Sequence, residues 1–282
     1  MELEKILPNN GPSIDEVKKY TTKYSNDIIV IKCGGSVLLE KNLFNQFIED
    51  ISVINKLGLS VVVVHGGGKN IQKKLEEHNL KSVFIDGLRV TDEKTIKIVE
   101  EALLELNFEI LSEISNHHAN SVSISPKKNN VIRVTPERKE LGFVGKPTEI
   151  KKDTILEIIN EKKIPLIVPM GIGEDNNIYN INADVAAGAI AKELKARRLL
   201  LMTDVEGVLD KSKNLISEIN SSMANEMLKN KTIAGGMIPK IKTCLDAVNN
   251  GVTGVVIVDG RKQHSILFEI FSDKGAGTLI RK

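Results

Sequence analysis

The chain has 282 residues, of which 41% are hydrophobic and 27% are charged, so it can bury one large core or two lobes. Its 39 basic and 37 acidic residues leave a formal charge of +2, which gives no overall attraction to nucleic acid, and the absence of Trp leaves few surfaces for base stacking. No apolar run approaches the roughly 18 residues of a membrane-spanning helix. We therefore expect a soluble globular protein whose partners are neither nucleic acids nor membranes.

The first 26 residues form a separate segment ahead of the first predicted strand. Ser13 is predicted to cap a short helix, because its hydroxyl can accept a hydrogen bond from an unpaired N–H group of the first turn. Ile14, Val17 and Tyr20 give that helix one apolar side. We expect residues 1–26 to be an N-terminal extension to the main domain.

From residue 27 onward, apolar runs bounded by turn residues alternate with amphipathic segments. The predicted strands are 27–32, 60–65, 121–125, 131–134, 164–169, 198–203 and 254–258. The predicted helices are 42–57, 69–77, 92–115, 153–161, 184–194, 222–229, 241–249 and 264–271. Such alternation indicates a mostly parallel sheet that is covered by helices.

Two segments carry further local signals. The helix 92–115 is predicted to begin after Thr91, which can serve as its N-cap. Residues 121–145 break the alternation, because short β-like pieces surround prolines and the pair Asn129 and Asn130 favours a turn. This segment is predicted to form hairpins, and one of them is expected to lie as a flap over a site.

Glycines follow two of the apolar strands, and a third glycine pair precedes a lysine. Where a strand ends in glycines and a helix begins, unpaired backbone N–H groups can approach an anion closely, and a lysine supplies the compensating charge. These turns therefore predict phosphate binding. They comprise Gly34-Gly35, Gly66-Gly67-Gly68 and Gly235-Gly236, the last followed by Lys240.

The glycine turns do not match the common phosphate-binding patterns. The chain contains neither G-x-x-x-x-G-K-[ST] nor G-x-G-x-x-G, which excludes P-loop and Rossmann sites. The His65-Gly66-Gly67-Gly68 run is similar to an oxyanion loop of lipases, but the required G-x-S-x-G elbow is absent. His65 itself is interpreted as a strand-end residue that packs beneath its turn.

The cysteines and the N-terminus bear on the compartment. Cys33 and Cys244 are too few for a four-cysteine metal site, and their apolar neighbours favour buried thiols in a reducing compartment. The first residues are acidic where an import signal would be basic. We expect a cytoplasmic protein, or one of the plastid stroma if the gene is organellar.

Taken together, the motifs resemble those of the amino acid kinase family, and in particular the branch that phosphorylates N-acetyl-L-glutamate in arginine biosynthesis. The resemblance runs from about residue 27 to the C-terminus. It is carried, in order, by Lys32-Cys33-Gly34-Gly35, His65-Gly66-Gly67-Gly68, Asp86-Gly87-Leu88-Arg89-Val90-Thr91, Asn180-Ile181-Asn182-Ala183-Asp184, Thr203-Asp204-Val205-Glu206-Gly207-Val208 and Gly235-Gly236-Met237-Ile238-Pro239-Lys240.

The resemblance implies a fold and a division of the chain. The expected fold is a three-layer α/β sandwich around a mostly parallel central sheet, in two lobes, with an N-terminal helix. Residues 27–282 would form the kinase domain, in which 27–180 bind the acceptor and dimerise and 181–282 bind the nucleotide. Residues 1–26 would serve in oligomerisation.

The implied reaction moves the γ-phosphoryl group of ATP to the side-chain carboxylate of N-acetyl-L-glutamate. Because that carboxylate is already ionised at neutral pH, no general base is needed, and catalysis must come from positioning and charge neutralisation. By the resemblance, Lys32 and Lys240 would stabilise the transferring group and Asp184 would hold both ammonium groups. Mg²⁺ would be carried by ATP, with no metal site on the protein and no prosthetic group.

The resemblance also assigns the binding residues. Arg89 would grip the second carboxylate of the acceptor, Asn180 its acetamide, and Gly68 would help to bind it, while Gly67 would donate its N–H to the phosphoryl oxygens. The residues expected to contact the phosphates or the nucleotide are Gly34, Gly35, Asp204, Val205, Gly207 and Leu209.

Regulation by arginine is a further implication of the resemblance. Members inhibited by arginine carry an additional N-terminal helix that interlaces dimers into a hexamer, and Glu269 and Gly275 match effector positions of that type. Val256 departs from the pattern, because a histidine is expected ahead of the Asp259-Gly260-Arg261 run. Arginine inhibition, a homo-oligomer and binding of the signalling protein PII are therefore hypotheses.

Two alternatives stay open at this stage. The chain could be another carboxylate or carbamate kinase of the same family, which a comparison of acceptors would decide. It could also be a catalytically silent arginine sensor, although the joint presence of Lys32, Asp184 and Lys240 argues against silence. A second departure, Ser123-Ile124-Ser125-Pro126 in place of a glycine-richer turn, leaves the conformation of the predicted flap open.

Overall fold

A computed structural model describes residues 3–282 and has a large sheet at its centre. The eight strands of this sheet run in the order β12-β14-β13-β11-β1-β2-β8-β5, and only the β13–β14 pairing is antiparallel. The strands are β1 (Ile28–Cys33), β2 (Ser60–His65), β5 (Ser121–Ile124), β8 (Ile164–Ile167), β11 (Arg198–Thr203), β12 (Glu218–Asn220), β13 (Val255–Asp259) and β14 (Gly277–Arg281).

Two smaller sheets accompany the large one. A four-stranded sheet has the order β10-β9-β6-β7, and a hairpin is formed by β3 and β4. Their strands are β3 (Phe84–Ile85), β4 (Leu88–Arg89), β6 (Ile132–Pro136), β7 (Gly145–Ile150), β9 (Met170–Ile172) and β10 (Ile178–Asn180).

The helices cover both faces of the large sheet. Short 3₁₀ turns occur at Leu3–Lys5, Gly35–Leu38 and Lys139–Leu141. The α-helices are α1 (Ile14–Tyr24), α2 (Lys41–Lys56), α3 (Gly68–Glu77), α4 (Glu93–Asn116), α5 (Pro126–Asn129), α6 (Lys152–Asn160), α7 (Ala183–Glu193), α8 (Ser221–Lys229), α9 (Met237–Asn249) and α10 (Ser265–Phe271). None of those in residues 3–282 is long and apolar enough to cross a bilayer.

Alternation along each strand divides the core into two layers. In β1, Val30 packs in a cluster with α6, α7 and α9, whereas Ile29 and Ile31 pack on the opposite face with α2, α4 and α10. Because side chains of successive strand residues point to opposite faces, both faces of an apolar strand must be covered by helices. The expected three-layer α/β sandwich with a mostly parallel sheet is confirmed.

The N-terminal helix forms as predicted. Ser13 is the N-cap of α1, and its hydroxyl accepts from the N–H of Glu16 while the Glu16 carboxylate accepts in return from the Ser13 N–H. This reciprocal capping satisfies two donors of the helix start. Val17 and Tyr20 are buried against the core, as predicted, and Tyr24 joins them.

Residues 121–145 differ from the prediction. Residues 121–124 form β5, which pairs in parallel with β8 inside the large sheet, so no hairpin forms around Asn129 and Asn130. Those asparagines instead end the short helix α5, with Asn130 in the left-handed conformation. The hairpin that forms in this region is β6–β7. The hairpin that lines the cavity beside Gly66 and Gly67 is instead β3–β4, outside the predicted segment.

The predicted cap of α4 is also wrong by one residue. Asp92 has extended backbone and its carboxylate accepts from the Thr95 N–H at 2.7 Å, which is the N-cap role. Thr91 is fully buried, and its hydroxyl donates to the Arg89 carbonyl at 2.8 Å instead. An acidic cap also suits the positive end of the helix dipole.

Candidate active site

Two glycine turns lie side by side at one edge of the large sheet. Strands β1 and β2 are parallel, and Cys33 pairs with His65 in register, so the turns that follow both strands leave the sheet at the same edge. The Gly66 N–H donates to the Cys33 carbonyl at 2.6 Å, which ties one turn to the other. Between them opens a cavity of about 210 Å³. It is lined by Lys32, Gly34, Gly35, Gly66, Gly67, Gly68, Ile71, Phe84, Gly87, Leu88, Arg89, Leu103, Val144, Pro169, Asn180, Ile181, Asn182, Ala183 and Asp184.

Two lysines contact Asp184 at the wall of this cavity, which Lys32 and Asp184 line. The Lys32 ammonium on β1 lies 3.1 Å from one oxygen of Asp184, and the Lys240 ammonium on α9 lies 2.5 Å from the other. The side chains are only 13%, 16% and 12% exposed in the order Lys32, Asp184 and Lys240. The structure therefore brings together all three residues that the sequence singled out as catalytic.

Asp184 is held in its charged form by these two lysines. Burial alone would raise the pKa of its carboxyl, but the positive charges of Lys32 and Lys240 outweigh burial and lower the pKa to about 2. Asp184 lies in the first turn of α7, where the helix dipole also favours an anion. Asn182 fixes that turn, because its side-chain oxygen accepts from the N–H groups of Asp184 and Val185.

Two glycines at the cavity leave space for the ends of neighbouring side chains. A Cβ atom at Gly34 would lie 2.8 Å from the Lys32 ammonium, so a side chain there would occupy the space of that ammonium group. A Cβ atom at Gly67 would lie 2.5 Å from a methyl group of Leu103 on α4. Backbone N–H groups can line the cavity at these turns because no side chains stand in front of them.

Arg89 comes from the β3–β4 hairpin and is almost buried. Its guanidinium donates to the Gly68 carbonyl at 2.9 Å and to the Ser82 hydroxyl, and it stacks on the Phe84 ring at 4.7 Å. Burial lowers its pKa, but a guanidinium stays charged at neutral pH. Asn180, at the end of β10, lines the same cavity. Both predicted acceptor-binding side chains thus face one space with Gly67 and Gly68.

The segment 204–209 is placed differently from the other predicted site residues. Asp204, which follows β11, accepts hydrogen bonds from the Ser36 N–H at 3.1 Å and from the Ser36 hydroxyl at 2.7 Å. It therefore fixes the turn after Gly35. Val205 and Leu209 are partly exposed, and none of the four predicted residues, which also include Gly207, lines the cavity that holds Lys32.

The predicted effector residues, Glu269 and Gly275, are in contact with each other and do not line the cavity. Gly275 has a positive φ of 67°, and a Cβ atom there would lie 2.9 Å from the Glu269 carboxylate. Glu269 accepts from the Ala276 N–H at 2.7 Å, and burial raises its pKa. Helix α1 reaches this loop, because Tyr20 donates to Asp273 at 2.5 Å. The departure Val256 is fully buried in β13.

Sequence reasoning missed one group of residues behind the cavity. His65 is fully buried, as its packing interpretation predicts, but it also contacts Asn107, which in turn bonds to Ser123. Asn107 is a polar residue at an apolar position of the α4 stripe, and this exception to the pattern could have indicated a buried hydrogen bond. Both cysteines are free and buried, as predicted. Within residues 3–282 no cluster of three or more His, Cys, Asp or Glu side chains is arranged to hold a metal ion.

Comparison with known proteins adds a family and several relatives. A profile of the Amino acid kinase family matches residues 27–259. The chain is 57% identical to "Acetylglutamate kinase" of Pelagibacter ubique over 281 residues, which cover 100% of this chain and 98% of that relative. The match therefore includes the N-terminal segment as well as the region with the motifs.

Solved structures share the fold at lower identity. An N-acetylglutamate synthase from Neisseria gonorrhoeae complexed with coenzyme A and N-acetyl-glutamate superposes with a TM-score of 0.86 at 21% identity, covering 96% of this chain and 64% of that one. A carbamate kinase from Giardia lamblia bound to AMP-PNP gives a TM-score of 0.71 at 20% identity, covering 92% of this chain and 99% of that one. This chain spans less than two thirds of the synthase, and identities this low show the fold alone.

Proposed function

The chain belongs to the amino acid kinase family, and on that basis we propose that it transfers the γ-phosphoryl group of ATP to the side-chain carboxylate of N-acetyl-L-glutamate in arginine biosynthesis. The observation that carries this proposal is the cluster of Lys32, Asp184 and Lys240 at the glycine-lined cavity. The name of the Pelagibacter relative, acetylglutamate kinase, supports the choice of acceptor. The product is an acyl phosphate.

The chemistry of the cluster suits an anionic nucleophile. A carboxylate oxygen of the acceptor attacks the γ-phosphorus, and the bond from that phosphorus to the bridging oxygen breaks, so that its electron pair leaves with ADP. The obstacle is repulsion between a carboxylate and a polyphosphate. Lys32 and Lys240 carry two positive charges against the single negative charge of Asp184, which leaves this cluster of three side chains with a net charge of +1. At about 4 Å and an effective dielectric near 20, one such ion pair contributes roughly 4 kcal/mol.

Asp184 serves this reaction by position and not as a base. Both of its oxygens face ammonium groups, and the pKa of about 2 leaves no proton affinity near neutral pH. Its role is to hold the two ammonium groups close together against their mutual electrostatic repulsion. Preorganised charges of this kind stabilise a transition state without the cost of reorganising solvent.

The acceptor is expected to lie between the β3–β4 hairpin and the second glycine turn. Arg89 already donates to Gly68 and Ser82, and a guanidinium has five N–H donors, so donors are left for a carboxylate. Asn180 can pair with the acetamide. Gly67 and Gly68, which line the same cavity, provide backbone N–H groups.

The nucleotide is expected to use Gly34, Gly35 and the segment 204–209, with residues 181–282 as its lobe and 27–180 as the acceptor lobe. Mg²⁺ neutralises phosphate charge when it is bound. The residues present fit a metal carried by the phosphates, because both oxygens of Asp184 face lysines and one oxygen of Asp204 accepts both hydrogen bonds from Ser36. Exposed Val205 and Leu209 offer apolar surface for a base.

A comparison of acceptors tests the reaction. ADP release is followed with N-acetylglutamate, glutamate, aspartate and carbamate, and the acyl phosphate is trapped as a hydroxamate. We expect turnover with N-acetylglutamate only, and a loss on the order of a thousandfold in Lys240→Ala. Lys242→Ala is the matched control, because Lys242 is exposed on the same helix. Preference for carbamate, or no turnover by a folded protein, would favour the other family activity or a silent sensor.

Arginine inhibition extends the proposal to the loop after α10. Three contacts support it: Glu269 and Gly275 adjoin, and α1 is tied to Asp273 through Lys19 and Tyr20. A ligand bound at this loop would therefore reach α1 directly. Activity measured with and without millimolar arginine decides the point, and unchanged activity rejects it.

A homo-oligomer is the remaining part of the proposal. Helix α4 exposes Phe108 by 72% and Leu104 by 36%, an apolar surface that a second copy of the chain could cover. Helix α1 would then interlace dimers into a hexamer, which sedimentation would reveal.

Binding of PII stays a prediction for a pull-down experiment at low ADP. The relative named above is bacterial, which favours a bacterial cytoplasm over a plastid.

A further inference from the structure

A chain of hydrogen bonds lies behind the second glycine turn. His65, the last residue of β2, is fully buried, and its Nδ1 atom lies 2.7 Å from the Gly66 carbonyl oxygen. Its Nε2 atom lies 3.1 Å from the side-chain nitrogen of Asn107, which is 2% exposed on α4. The Asn107 side-chain oxygen accepts from the Ser123 hydroxyl on β5 at 2.5 Å.

The contacts of Asn107 determine where the imidazole proton lies. The Asn107 amide nitrogen also faces the Leu166 carbonyl oxygen at 3.4 Å, and a carbonyl can only accept, so the amide is oriented with its nitrogen toward Leu166 and His65. His65 Nε2 must then accept, which leaves the proton on Nδ1. That proton is donated to the Gly66 carbonyl. Burial lowers the pKa of His65 to about 4, so the ring stays neutral at pH 7.

Fixing the Gly66 carbonyl fixes the next N–H group. The Gly66 carbonyl and the Gly67 N–H belong to one planar trans peptide, so they point in opposite directions. With the carbonyl held on His65 inside the protein, the Gly67 N–H is turned toward the cavity that Gly67 lines. Within residues 3–282 this N–H has no hydrogen-bond acceptor. It is therefore free to donate to a ligand.

Helix α4 supports the turn at two points. Leu103 fills the space that a side chain at Gly67 would need, and Asn107 lies one helical turn further along and holds His65. The turn therefore packs against Leu103 and is hydrogen-bonded, through His65, to Asn107. Gly66 is additionally held through its own N–H by the Cys33 carbonyl.

We infer that His65 is a positioning residue for phosphoryl transfer: held in its Nδ1–H tautomer by Asn107 and Ser123, it aims the Gly67 N–H at the transferring group. This inference rests on the proposed function, since that N–H acts on a phosphoryl oxygen. A donor aimed at charge that develops in the transition state affects kcat more than KM.

Two substitutions at one position separate positioning from packing. In His65→Asn, the amide nitrogen takes approximately the place of Nδ1 and can still donate to Gly66. In His65→Leu, the bulk is similar but the donor is lost. We expect His65→Leu to lower kcat about 100-fold with less than about a threefold change in KM, and His65→Asn to stay within about tenfold of the natural protein.

A matched control and a milder variant accompany this pair. His78 also places Nδ1 within 2.9 Å of a backbone carbonyl, that of Lys74, but it is exposed at the end of α3, so His78→Leu should leave kcat unchanged. Ser123→Ala removes only the outermost bond of the chain and should lower kcat about threefold to tenfold. This variant keeps the test usable if His65→Leu does not fold.

A second measurement needs no turnover. Long-range ¹H–¹⁵N spectra of the imidazole should show the His65 proton on Nδ1, and Asn107→Leu should mix the tautomers and shift the Gly67 amide signal. A proton on Nε2 would overturn the inference, as would equal kcat losses in His65→Asn and His65→Leu at unchanged melting temperatures. If the natural protein phosphorylates no acceptor, the proposed function fails by itself, and the tautomer result still stands on its own.

Discussion

Asp184 and Asp50 are both buried against cationic side chains, and their pKa values move in opposite directions. Burial raises the pKa of both carboxyls. At Asp184 two ammonium groups outweigh burial and the pKa falls to about 2, whereas at Asp50 burial outweighs the single imidazole of His264 and the pKa rises to about 6. The Asp50–His264 contact, at 2.6 Å, is nearly as short as the Asp184–Lys240 contact at 2.5 Å.

The difference between these two sites distinguishes the proposed catalytic cluster from a structural pair. Asp50 and His264 are 3% and 4% exposed and join α2 to the start of α10, away from any solvent that could carry a ligand. The cluster of Asp184 lies at the wall of a cavity and has an excess positive charge. A site that must receive an anion needs that excess, while a site that only joins two helices is most stable when it is neutral.

Removing the charge of Asp184 should have the largest effect. Asp184→Asn keeps the size of the side chain but leaves Lys32 and Lys240 facing each other without an anion. We expect kcat for hydroxamate formation to fall on the order of a thousandfold or more, because both ammonium groups lose their position. Asp246→Asn is the matched control, since Asp246 pairs with Lys192 on the surface. Activity within tenfold of the natural protein would show that the lysines are held by something else.

A second variant tests the Asp184 cluster by displacing the Lys32 ammonium without removing it. A methyl group in Gly34→Ala would lie 2.8 Å from the Lys32 ammonium, which can move away because it is the end of a flexible side chain. We expect a fall in kcat of about 100-fold, the effect of roughly 1 Å of misplacement, with little change in the urea midpoint. An unchanged kcat in Gly34→Ala would show that the Lys32 ammonium can move aside without loss of function.

The large elements could be predicted from the sequence because their apolar patterns are clear. Strands β1, β2 and β11 are nearly continuous apolar runs, as expected of strands buried on both faces, and the buried residues of helix α4 recur at spacings of three and four. Strand β7 could not be predicted, since Lys146, Pro147 and Glu149 give it no apolar period and its partner β6 decides its conformation. Short strands depend on tertiary pairing more than on their own residues.

The candidate site also has features that the sequence predicts and features that it does not. Glycines after apolar strands indicate an anion site directly, but the meeting of Lys32, Asp184 and Lys240 follows only from the resemblance, because no local pattern relates residues so distant in sequence. Asn107 could have been noticed as a polar residue on an apolar stripe. Its bond to His65 could not, because it depends on how α4 lies across β2.

Breaking the structural pair should affect stability and its pH dependence. The pKa values of both Asp50 and His264 are raised, so the folded protein binds their shared proton more tightly than the unfolded chain does. The contribution of His264 is therefore complete below the ordinary histidine pKa of about 6.5 and is lost as the pH rises through the higher pKa of folded His264. The contribution of Asp50 is complete only below the ordinary aspartate pKa of about 3.9 and is lost as the pH rises through about 6. The neighbouring acid Glu49 raises both values further.

Asp50→Asn tests this dependence. The amide can still accept from a neutral His264, so the loss is that of a charge-assisted bond, about 1–2 kcal/mol of unfolding free energy at pH 6. By pH 9 the natural protein has lost the same contribution, and the two urea midpoints should converge. Glu49→Gln is the control and should leave the difference between pH 6 and pH 9 nearly intact. A natural protein that is equally stable at both pH values would contradict the shared proton.

A third aspartate extends the comparison to the surface and gives the smallest expected effect. Asp273 contacts the Lys19 ammonium at 2.7 Å and the Tyr20 hydroxyl at 2.5 Å, and these partners lower its pKa, yet its side chain is 66% exposed. Water screens such pairs, so Tyr20→Phe should leave the urea midpoint within error and kcat unchanged. The hydroxyl nevertheless joins α1 to the loop of Glu269 and Gly275. If arginine acts through that loop, Tyr20→Phe should raise the arginine concentration for half-inhibition severalfold, whereas Tyr24→Phe, whose hydroxyl makes no contact with Asp273, should not.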